Sequence, residues 1–598
     1  MVRTKRWVTY AAALGLVVAL LPQVQAEEAA KPATKVAPKP AGPQKFLDAV
    51  PDDAWGFVAI PSLKNLDQKL GALSEKLNFP IDSPLTLAMG QLGIADGLRE
   101  EAGLGLVVLD PTEYGTPPDM LVLLLPTTDA KALLEVFDPQ ETEDGLMRID
   151  LMGEEVFALV KGGFLAVGPE KTAVKHVAGA KKGIAGLLKK DQVDRYKKAD
   201  IFAMLNLRPA IEMAKPLAGQ AVAMLMMDAM DEDPDADERI QKTAQQVVDL
   251  LEELNTLEIA LGLDDAGLQL SFYLTFLEGE VVKTIAACKG TPSALLAGLP
   301  KDKYILAMGV KGGGETKEGG LQDGLAQLAL SRSEVGSVID KAKMAELQKI
   351  EKQLEAKAGD SGVSISLLPE NSDGMLALTA VWQMKDTKDS MALIRKMVEG
   401  YKGVFKDEDI AKVLAGLTCK ADAEKVGGVS VDHIKLDLSQ LEADDQEVAE
   451  IVAVLNKVFG KDGVLIRLAP AGDKHMVATM GGGAKRLEEV IKIASAGKCP
   501  LAEDDGVMKA RKKMPKNRLF ELYVAVDELL KIVKEISGMQ EIPQMEKVGA
   551  PVSISLAAEK NYGRLDLLIP TELIVEIKNV AMEAMFGGGM GGGTEPSF

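Results

Sequence analysis

The chain carries one series of sequence patterns twice, and this duplication constrains its fold more than any other feature. In each half a proline-containing turn leads through an aromatic residue into an apolar strand, at residues 50–60 and again at 299–310. Four further elements follow in the same order: 120–126 with 376–382, 164–168 with 475–481, 201–215 with 519–534, and 259–276 with 554–569. Five matched elements in one order predict two tandem copies of one structural unit.

The residues around the matched elements indicate how each unit is built. A Thr-Asp cap precedes a helical pattern at 131–137, and Thr-Lys-Asp begins the corresponding pattern at 391–398. Alternating strand patterns joined by short turns favour antiparallel pairing. We therefore predict an α+β fold of two related units, 47–298 and 299–581, each a mainly antiparallel sheet with helices packed on one face.

The two units differ in their inserts. The first has extra residues within 216–255, which we interpret as a helical hairpin with an acidic tip at 231–238. The second has a Gly-rich charged loop at 311–320 and a helix at 341–357. The inserts are therefore where the two copies are expected to differ in structure.

The first 26 residues have the three parts of a cleavable export signal. Arg3, Lys5 and Arg6 form a positive start, an apolar run follows at 8–21, and small residues precede a cleavage point after Ala26. The alternative is a retained anchor, but the run has about 14 residues, whereas a membrane-spanning helix needs about 20. We predict that the mature protein is periplasmic or secreted.

The composition of the mature chain excludes several classes of function. Loss of the three signal cations changes the formal net charge from −20 to −23, which argues against binding to nucleic acid. A hydrophobic content of 47% supports packed cores, except in an Ala/Pro/Lys linker at 27–46 and a disordered Gly/Met-rich tail at 582–598. No segment after the signal is apolar over a sufficient length to predict an integral membrane helix.

The acidic tip of the first insert is the candidate metal site. Its candidate ligands are Asp231, Asp233, Asp235, Asp237 and Glu238. Alternating carboxylates can bind Ca²⁺, and the methionines just before them (224, 226, 227 and 230) offer thioether ligands for Cu(I). Because Pro234 interrupts the run and no glycine supplies a sharp turn, we favour a solvated acidic tip beside packed methionines. No cofactor is predicted.

Two other patterns have functional and structural interpretations. The turn 481–486 (Gly-Gly-Gly-Ala-Lys-Arg) joins a strand to a helix, as phosphate-binding loops do, but the equivalent turn 168–171 contains proline and glutamate. We therefore favour a turn that the fold itself requires. Basic runs at 189–198 and 509–518 could bind a polyanion, and we favour contacts with acidic groups of the same protein.

The cysteines and histidines give no catalytic signature. Cys288, Cys419 and Cys499 allow one bridge, Cys419–Cys499, but free thiols are the favoured interpretation. His176 stands alone, while His433 and His475 would form a pair if their strands were neighbours. No nucleophile elbow or zinc-binding helix motif occurs, so we predict no enzymatic activity.

Short motifs in the mature chain resemble a known group of proteins. The opening 50–55 (Val-Pro-Asp-Asp-Ala-Trp), the turns 126–131 and 167–171, and the Gly/Met-rich tail are similar to uncharacterised exported domain-of-unknown-function proteins of planctomycete-type bacteria. The resemblance implies an envelope or secreted location. It implies no activity and no site residues.

Three hypotheses about function remain. The first is a non-catalytic protein that binds or scaffolds a protein or envelope component. The second is a carrier of an apolar ligand or a metal ion, which a deep pocket lined by Met and Leu would favour. The third is an unrecognised hydrolase, which a closed cleft with two carboxylates about 5 to 9 Å apart would favour.

Overall fold

A computed structural model describes residues 44–78, 97–151, 154–213, 215, 245, 248–312, 339–438, 446–538, 545 and 548–587. Within these ranges all strand pairs are antiparallel and belong to a single sheet of twenty strands. The strands are β1 (Gly56–Ile60), β2 (Leu104–Val108), β3 (Leu121–Pro126), β4 (Gln140–Glu141), β5 (Met147–Leu151), β6 (Glu154–Lys161), β7 (Phe164–Gly168), β8 (Ile201–Asn206), β9 (Leu254–Asp264), β10 (Gly267–Phe276), β11 (Tyr304–Val310), β12 (Ala358–Leu367), β13 (Leu376–Met384), β14 (Leu417–Val426), β15 (Val429–Leu436), β16 (Leu465–Ala471), β17 (His475–Met480), β18 (Arg518–Val524), β19 (Val552–Glu559) and β20 (Tyr562–Pro570).

Helices connect the strands in both halves. They are α1 (Gln44–Ala49), α2 (Leu63–Leu77), α3 (Pro111–Tyr114), α4 (Ala130–Glu135), α5 (Lys171–Gly179), α6 (Lys190–Lys198), α7 (Glu280–Ala287), α8 (Lys341–Glu355), α9 (Thr387–Tyr401), α10 (Glu408–Ala415), α11 (Gln446–Phe459), α12 (Gly483–Ser495), α13 (Asp505–Arg511), α14 (Val526–Ser537) and α15 (Thr571–Gly587). Short 3₁₀ turns lie at Ile184–Gly186 and Pro500–Glu503. In the described part of the chain, no helix combines the length and apolarity needed to cross a bilayer.

The order of the strands across the sheet repeats in the two halves. The first half runs β4-β5-β6-β7-β3-β2-β1-β8-β9-β10 from its outer edge to the centre. The second half runs β14-β15-β16-β17-β13-β12-β11-β18-β19-β20 in the same direction. Each strand of the second half thus occupies the position that the strand numbered ten lower occupies in the first half. The predicted fold of two related, mainly antiparallel units is confirmed.

The two halves join edge to edge through β10 and β20, a pair that we call the seam. Ser271 lies directly opposite Asp566. The paired residues next to the hairpin turn are Asp264 and Gly267 in the first unit and Glu559 and Tyr562 in the second. The residue numbers of equivalent positions in the two hairpins therefore differ by 295. Asp566 is therefore the equivalent of Ser271, and a local two-fold axis passes between them. The sheet continues from one unit into the other without an exposed edge at the centre.

The position of the helices differs from the prediction in one respect, because both faces of the sheet are covered. On β13, Trp382 packs in one apolar core with α8 and α9, while its neighbour Val381 packs in a second core with α12. On β3, Leu124 packs with α5 and Leu125 packs with α4. Successive side chains of a strand point to opposite faces, so these strands bury both faces and each unit has helices on both sides.

Short polar side chains fix the first residues of α4 and α9, the helices on the face of the sheet opposite α5 and α12. Asp129 accepts hydrogen bonds from the amides of Lys131 and Ala132 at 3.0 and 3.2 Å and caps α4. In the second unit Asp386 caps α9 by accepting from the Asp389 amide at 3.0 Å. The cap is thus the residue just before the predicted Thr-Lys-Asp sequence.

The inserts are described only in part. The signal, the linker up to residue 43, most of the first insert and the residues after 587 lie outside the described ranges. Where the chain is described again, 248–253 are helical, and Leu254 and Asn255 already belong to β9. The first insert therefore ends before residue 254. The predicted helix of the second insert corresponds to α8.

Candidate functional site

The two faces of the sheet differ in polarity around the seam. One face carries buried polar and charged side chains, among them Glu258, Ser271, Glu521 and Asp566. The opposite face carries apolar side chains that are only partly buried. This arrangement reverses the usual one, in which the buried face of a sheet is apolar and the solvated face is polar.

Glu258 on β9 is the centre of one polar cluster. Its carboxylate is fully buried and accepts hydrogen bonds from Arg195 Nε at 2.7 Å, Arg195 Nη2 at 3.0 Å and Gln192 Nε2 at 2.6 Å. Arg195 also donates to Asp191 at 2.7 Å. Burial opposes the charge of Arg195, but its bonds to Glu258 hold the pKa of the guanidinium above its usual value.

Glu521 on β18 is the centre of a second polar cluster, in the second unit. It accepts from Arg518 Nε at 2.8 Å, from the Tyr523 hydroxyl at 3.2 Å and from the Leu295 amide at 2.7 Å. Leu295 lies in the segment that connects the two units, so this buried carboxylate holds the connection in place. Charged hydrogen bonds of this kind stabilise only as a complete set.

The two basic runs therefore behave as the sequence analysis favours. Each contributes an arginine, Arg195 or Arg518, to a buried glutamate of the same protein. The second run also reaches the first unit, because Lys513 Nζ lies 2.5 Å from Asp264 Oδ2. Arg195 and Arg518 thus form ion pairs within their own units, and Lys513 forms one across the seam.

A cavity of about 450 Å³ lies on the polar face at the seam, and we call it the seam cavity. One face of α6 forms its wall, and small side chains of β9 form part of its floor. Its lining residues are Asp191, Asp194, Arg195, Lys198, Ala199, Ala260, Leu261, Gly262, Gln269, Ser271, Tyr273, Tyr562 and Arg564. The lining combines charged and polar side chains with small apolar ones and contains no methionine, unlike the pocket that the apolar-carrier hypothesis describes.

Aromatic rings and guanidinium groups alternate along one side of the seam cavity. The Arg195 guanidinium lies 4.5 Å from the Tyr273 ring centroid and 4.8 Å from that of Tyr562. Arg564 lies 5.2 Å from Tyr273. Because Tyr562 and Arg564 come from β20 and the others from the first unit, this stack of cation–π contacts also connects the two units.

On the opposite face, apolar side chains form two rows across the centre of the sheet, which we call the apolar rows. In each row every residue lies directly opposite the next one on the neighbouring strand. The first row is Leu106, Val58, Ala203, Ile259, Phe272, Leu565, Leu556, Phe520 and Val310. The second row is Ile201, Leu261, Leu270, Leu567, Ile554, Leu522 and Met308.

The apolar rows are incompletely covered. None of their residues is buried, and Val58, Leu556 and Leu565 are 43%, 42% and 39% exposed. The helices α2 and α15 contact β9, β10 and β20 but leave these side chains accessible. The first row crosses nine strands, which at about 4.8 Å between strands corresponds to about 38 Å. A continuous and partly exposed apolar surface of this extent is typical of a binding site.

Of the candidate metal site and the candidate phosphate-binding turn, the structure describes only the turn. The candidate metal ligands of the acidic tip, Asp231 to Glu238, lie outside the described residues. The turn at Gly481 is required by the fold, because its φ is +81° and a Cβ there would collide with the Leu376 carbonyl oxygen. Arg486, at the end of this turn, is buried and pairs with Asp302. In the described ranges, no group of three or more His, Cys, Asp or Glu side chains is placed to bind a metal ion.

The histidines do not form the pair that the sequence analysis considers. His433 lies on β15 and His475 on β17, and β16 lies between them. His433 Nε2 is 2.9 Å from Glu424 Oε1. His176 Nε2 is 3.0 Å from Asp53 Oδ1. Each histidine in these contacts has its own carboxylate, and the hypothesis of a His433–His475 pair is wrong because one strand separates them.

The three cysteines are free, and burial raises the pKa of each thiol, to about 11 for Cys499. At pH 8 a thiol with this pKa is about one part in a thousand thiolate, compared with about a quarter for an ordinary cysteine. We expect iodoacetamide to alkylate Cys499 at least a hundredfold more slowly in the native protein than in guanidinium chloride, as measured by peptide mass spectrometry. A Cys419–Cys499 disulfide in unreduced protein would contradict this expectation.

Comparisons with known proteins give no family for this chain. No protein-family model matches it, and no curated protein matches it. Among solved structures, crystal form III of TP0453 is similar over 48% of this chain and 99% of its own, with 9% identity and a TM-score of 0.23. Crystal form IV covers 47% and 94%, with 9% identity and a TM-score of 0.22. At these TM-scores the similarity supports no conclusion about fold or function.

Proposed function

We propose that this protein is a non-catalytic binding protein of the cell envelope or the extracellular space, and that its ligand is the acyl chain of an amphipathic lipid. The observation that carries the proposal is the pair of apolar rows at the centre of the sheet, with three side chains more than one third exposed. Burying such side chains against hydrocarbon is favourable by about 25 cal/mol per Å².

The chemistry of the rows favours an acyl chain over a peptide. Only Leu, Ile, Val, Ala, Phe and Met occur in them. The strands they cross are interior strands with a partner on each side, so the backbone there has no free edge for an added strand. A chain from one bilayer leaflet, about 15 Å long, would cover three or four strands of a row.

The export signal and the resemblance to exported proteins support an envelope or extracellular location, where amphipathic lipids are abundant. Scaffolding of another envelope protein is the second candidate function, supported by the length of the continuous sheet. The proposal uses no catalytic group.

Lysine substitutions in the apolar rows test the proposal. In the mature chain we expect Leu565→Lys with Leu556→Lys to weaken binding of a fluorescently labelled sixteen-carbon fatty acid at least tenfold. Full burial of one leucine is worth about 1.5–3 kcal/mol, and 1.4 kcal/mol corresponds to a factor of ten. Fluorescence titration measures the affinity, and thermal unfolding checks that the variant is folded.

Val160→Lys is the matched control, because Val160 is 50% exposed and lies on β6, outside the apolar rows. We expect it to bind the fatty acid as the unsubstituted protein does. No detectable binding by the unsubstituted protein, or equal binding by the double variant, would contradict the proposal.

A further inference from the structure

We infer that the seam cavity is a binding site for a small organic anion, with Arg564 as the residue that pairs with its carboxylate or phosphate group. The cavity lies on the polar face of the sheet, opposite the apolar rows, so this inference is independent of the proposed function. Its volume of about 450 Å³ is within the range of about 300–1,000 Å³ that is usual for small-molecule sites.

Arg564 has hydrogen-bond donors to spare. Its Nε and Nη2 both donate to one oxygen of Asp566, Oδ1, at 3.0 and 2.8 Å. In the described part of the chain Nη1 has no hydrogen-bond partner, and the side chain is 20% exposed where it lines the cavity. A guanidinium group that is fixed on one edge and open on another is suited to a carboxylate or phosphate.

The other cations of the cavity have different roles. Arg195 is held by Glu258 and Asp191 and lies against the rings of two tyrosines, so it forms a rigid wall. Lys198 is exposed at the end of α6 and adds positive charge at the rim. Three cations and two carboxylates, Asp191 and Asp194, line the cavity. The buried Glu258 and Asp566 also pair with Arg195 and Arg564, so the carboxylates around the cavity repel a large polyanion, and a small anion is held at the open edge of Arg564.

The floor of the cavity offers a way to block it without touching a charge. Gly262 lines the cavity, and a Cβ built on it would meet no atom within 4 Å. Its backbone is not in the left-handed region, so a side chain there causes no backbone strain. Gly262→Leu therefore fills the cavity while leaving Arg564 and Asp566 in place.

Thermal shift and calorimetry with citrate and with inorganic phosphate, at constant ionic strength set by NaCl, test the inference. We expect one or both anions to raise the unfolding temperature above the NaCl baseline. The two arms distinguish a carboxylate ligand from a phosphate ligand. We expect both Arg564→Gln and Gly262→Leu to weaken the binding at least tenfold, and Lys198→Gln to weaken it about threefold.

Lys131→Gln is the control, because Lys131 is 87% exposed. It lies on α4 and not on α6, which forms the wall of the cavity. The Gly262→Leu variant keeps the test valid if Arg564→Gln disturbs Asp566 and fails to fold. Binding of the same strength in folded Gly262→Leu, or no shift beyond NaCl with either anion, would overturn the inference.

Discussion

Replacing Arg518 with alanine is expected to lower the free energy of unfolding by about 3 kcal/mol. The substitution leaves the fully buried Glu521 carboxylate without its closest cation, and removal of one partner of a buried ion pair usually costs about 3–5 kcal/mol. We expect the lower end of this range because Arg511 Nε remains 3.8 Å from Glu521. Urea unfolding followed by circular dichroism measures the change.

A double variant separates the lost charge pairing from lost packing. Arg518→Met together with Glu521→Gln removes both charges and keeps an acceptor for the Leu295 amide. We expect it to recover at least half of the stability that Arg518→Ala loses, because residue 521 no longer carries an unpaired buried charge and Arg511, which loses its carboxylate neighbour, is 21% exposed. If the double variant is less stable than Arg518→Ala, the explanation by an unpaired carboxylate is wrong.

Replacing Phe57 with alanine should have an effect of similar or larger size, about 3–5 kcal/mol. Phe57 is 1% exposed, and its ring contacts those of Phe46, Tyr196 and Phe202 with centroid distances of 5.7 to 6.2 Å. The alanine leaves a cavity at the centre of the first unit's aromatic core. Urea unfolding again measures the loss.

Tyr196→Phe is the matched control within the same aromatic core. The Tyr196 hydroxyl is buried and has no hydrogen-bond partner in the described part of the chain, so its removal eliminates a desolvated polar group and leaves the ring in place. We expect a stability change of less than about 0.5 kcal/mol, or a small gain. A loss as large as that of Phe57→Ala would show that the hydroxyl has a partner that stabilises the fold.

The duplicated topology could be predicted because turns, caps and strand lengths are local features of the sequence. The second layer of helices was missed, although a signal existed: β3 is apolar at every position, which is typical of a strand buried on both faces. The His433–His475 hypothesis failed because the order of strands across the sheet depends on long-range pairing. The sequence does not reveal that β16 lies between them.

The candidate sites depend even more on register. The apolar rows become visible only when Phe272 is placed opposite Leu565 and Ile259 opposite Phe272, and a shift of one residue would exchange the two faces. The strand β10 shows strict alternation over Leu268 to Leu274, which indicates one apolar face. Alternation alone does not show which face of the sheet is the more exposed one, because the exposure of each face depends on the helices that cover it.

Hydrogen–deuterium exchange of the seam tests the central claim that the two units share one continuous sheet. Peptides covering β10 and β20 should be protected for hours, as much as peptides from the interior strands β13 and β17, because each seam strand has a partner on both sides. Exchange of about half of the β10 and β20 amides within seconds, as in strands with one free edge, would contradict the claim.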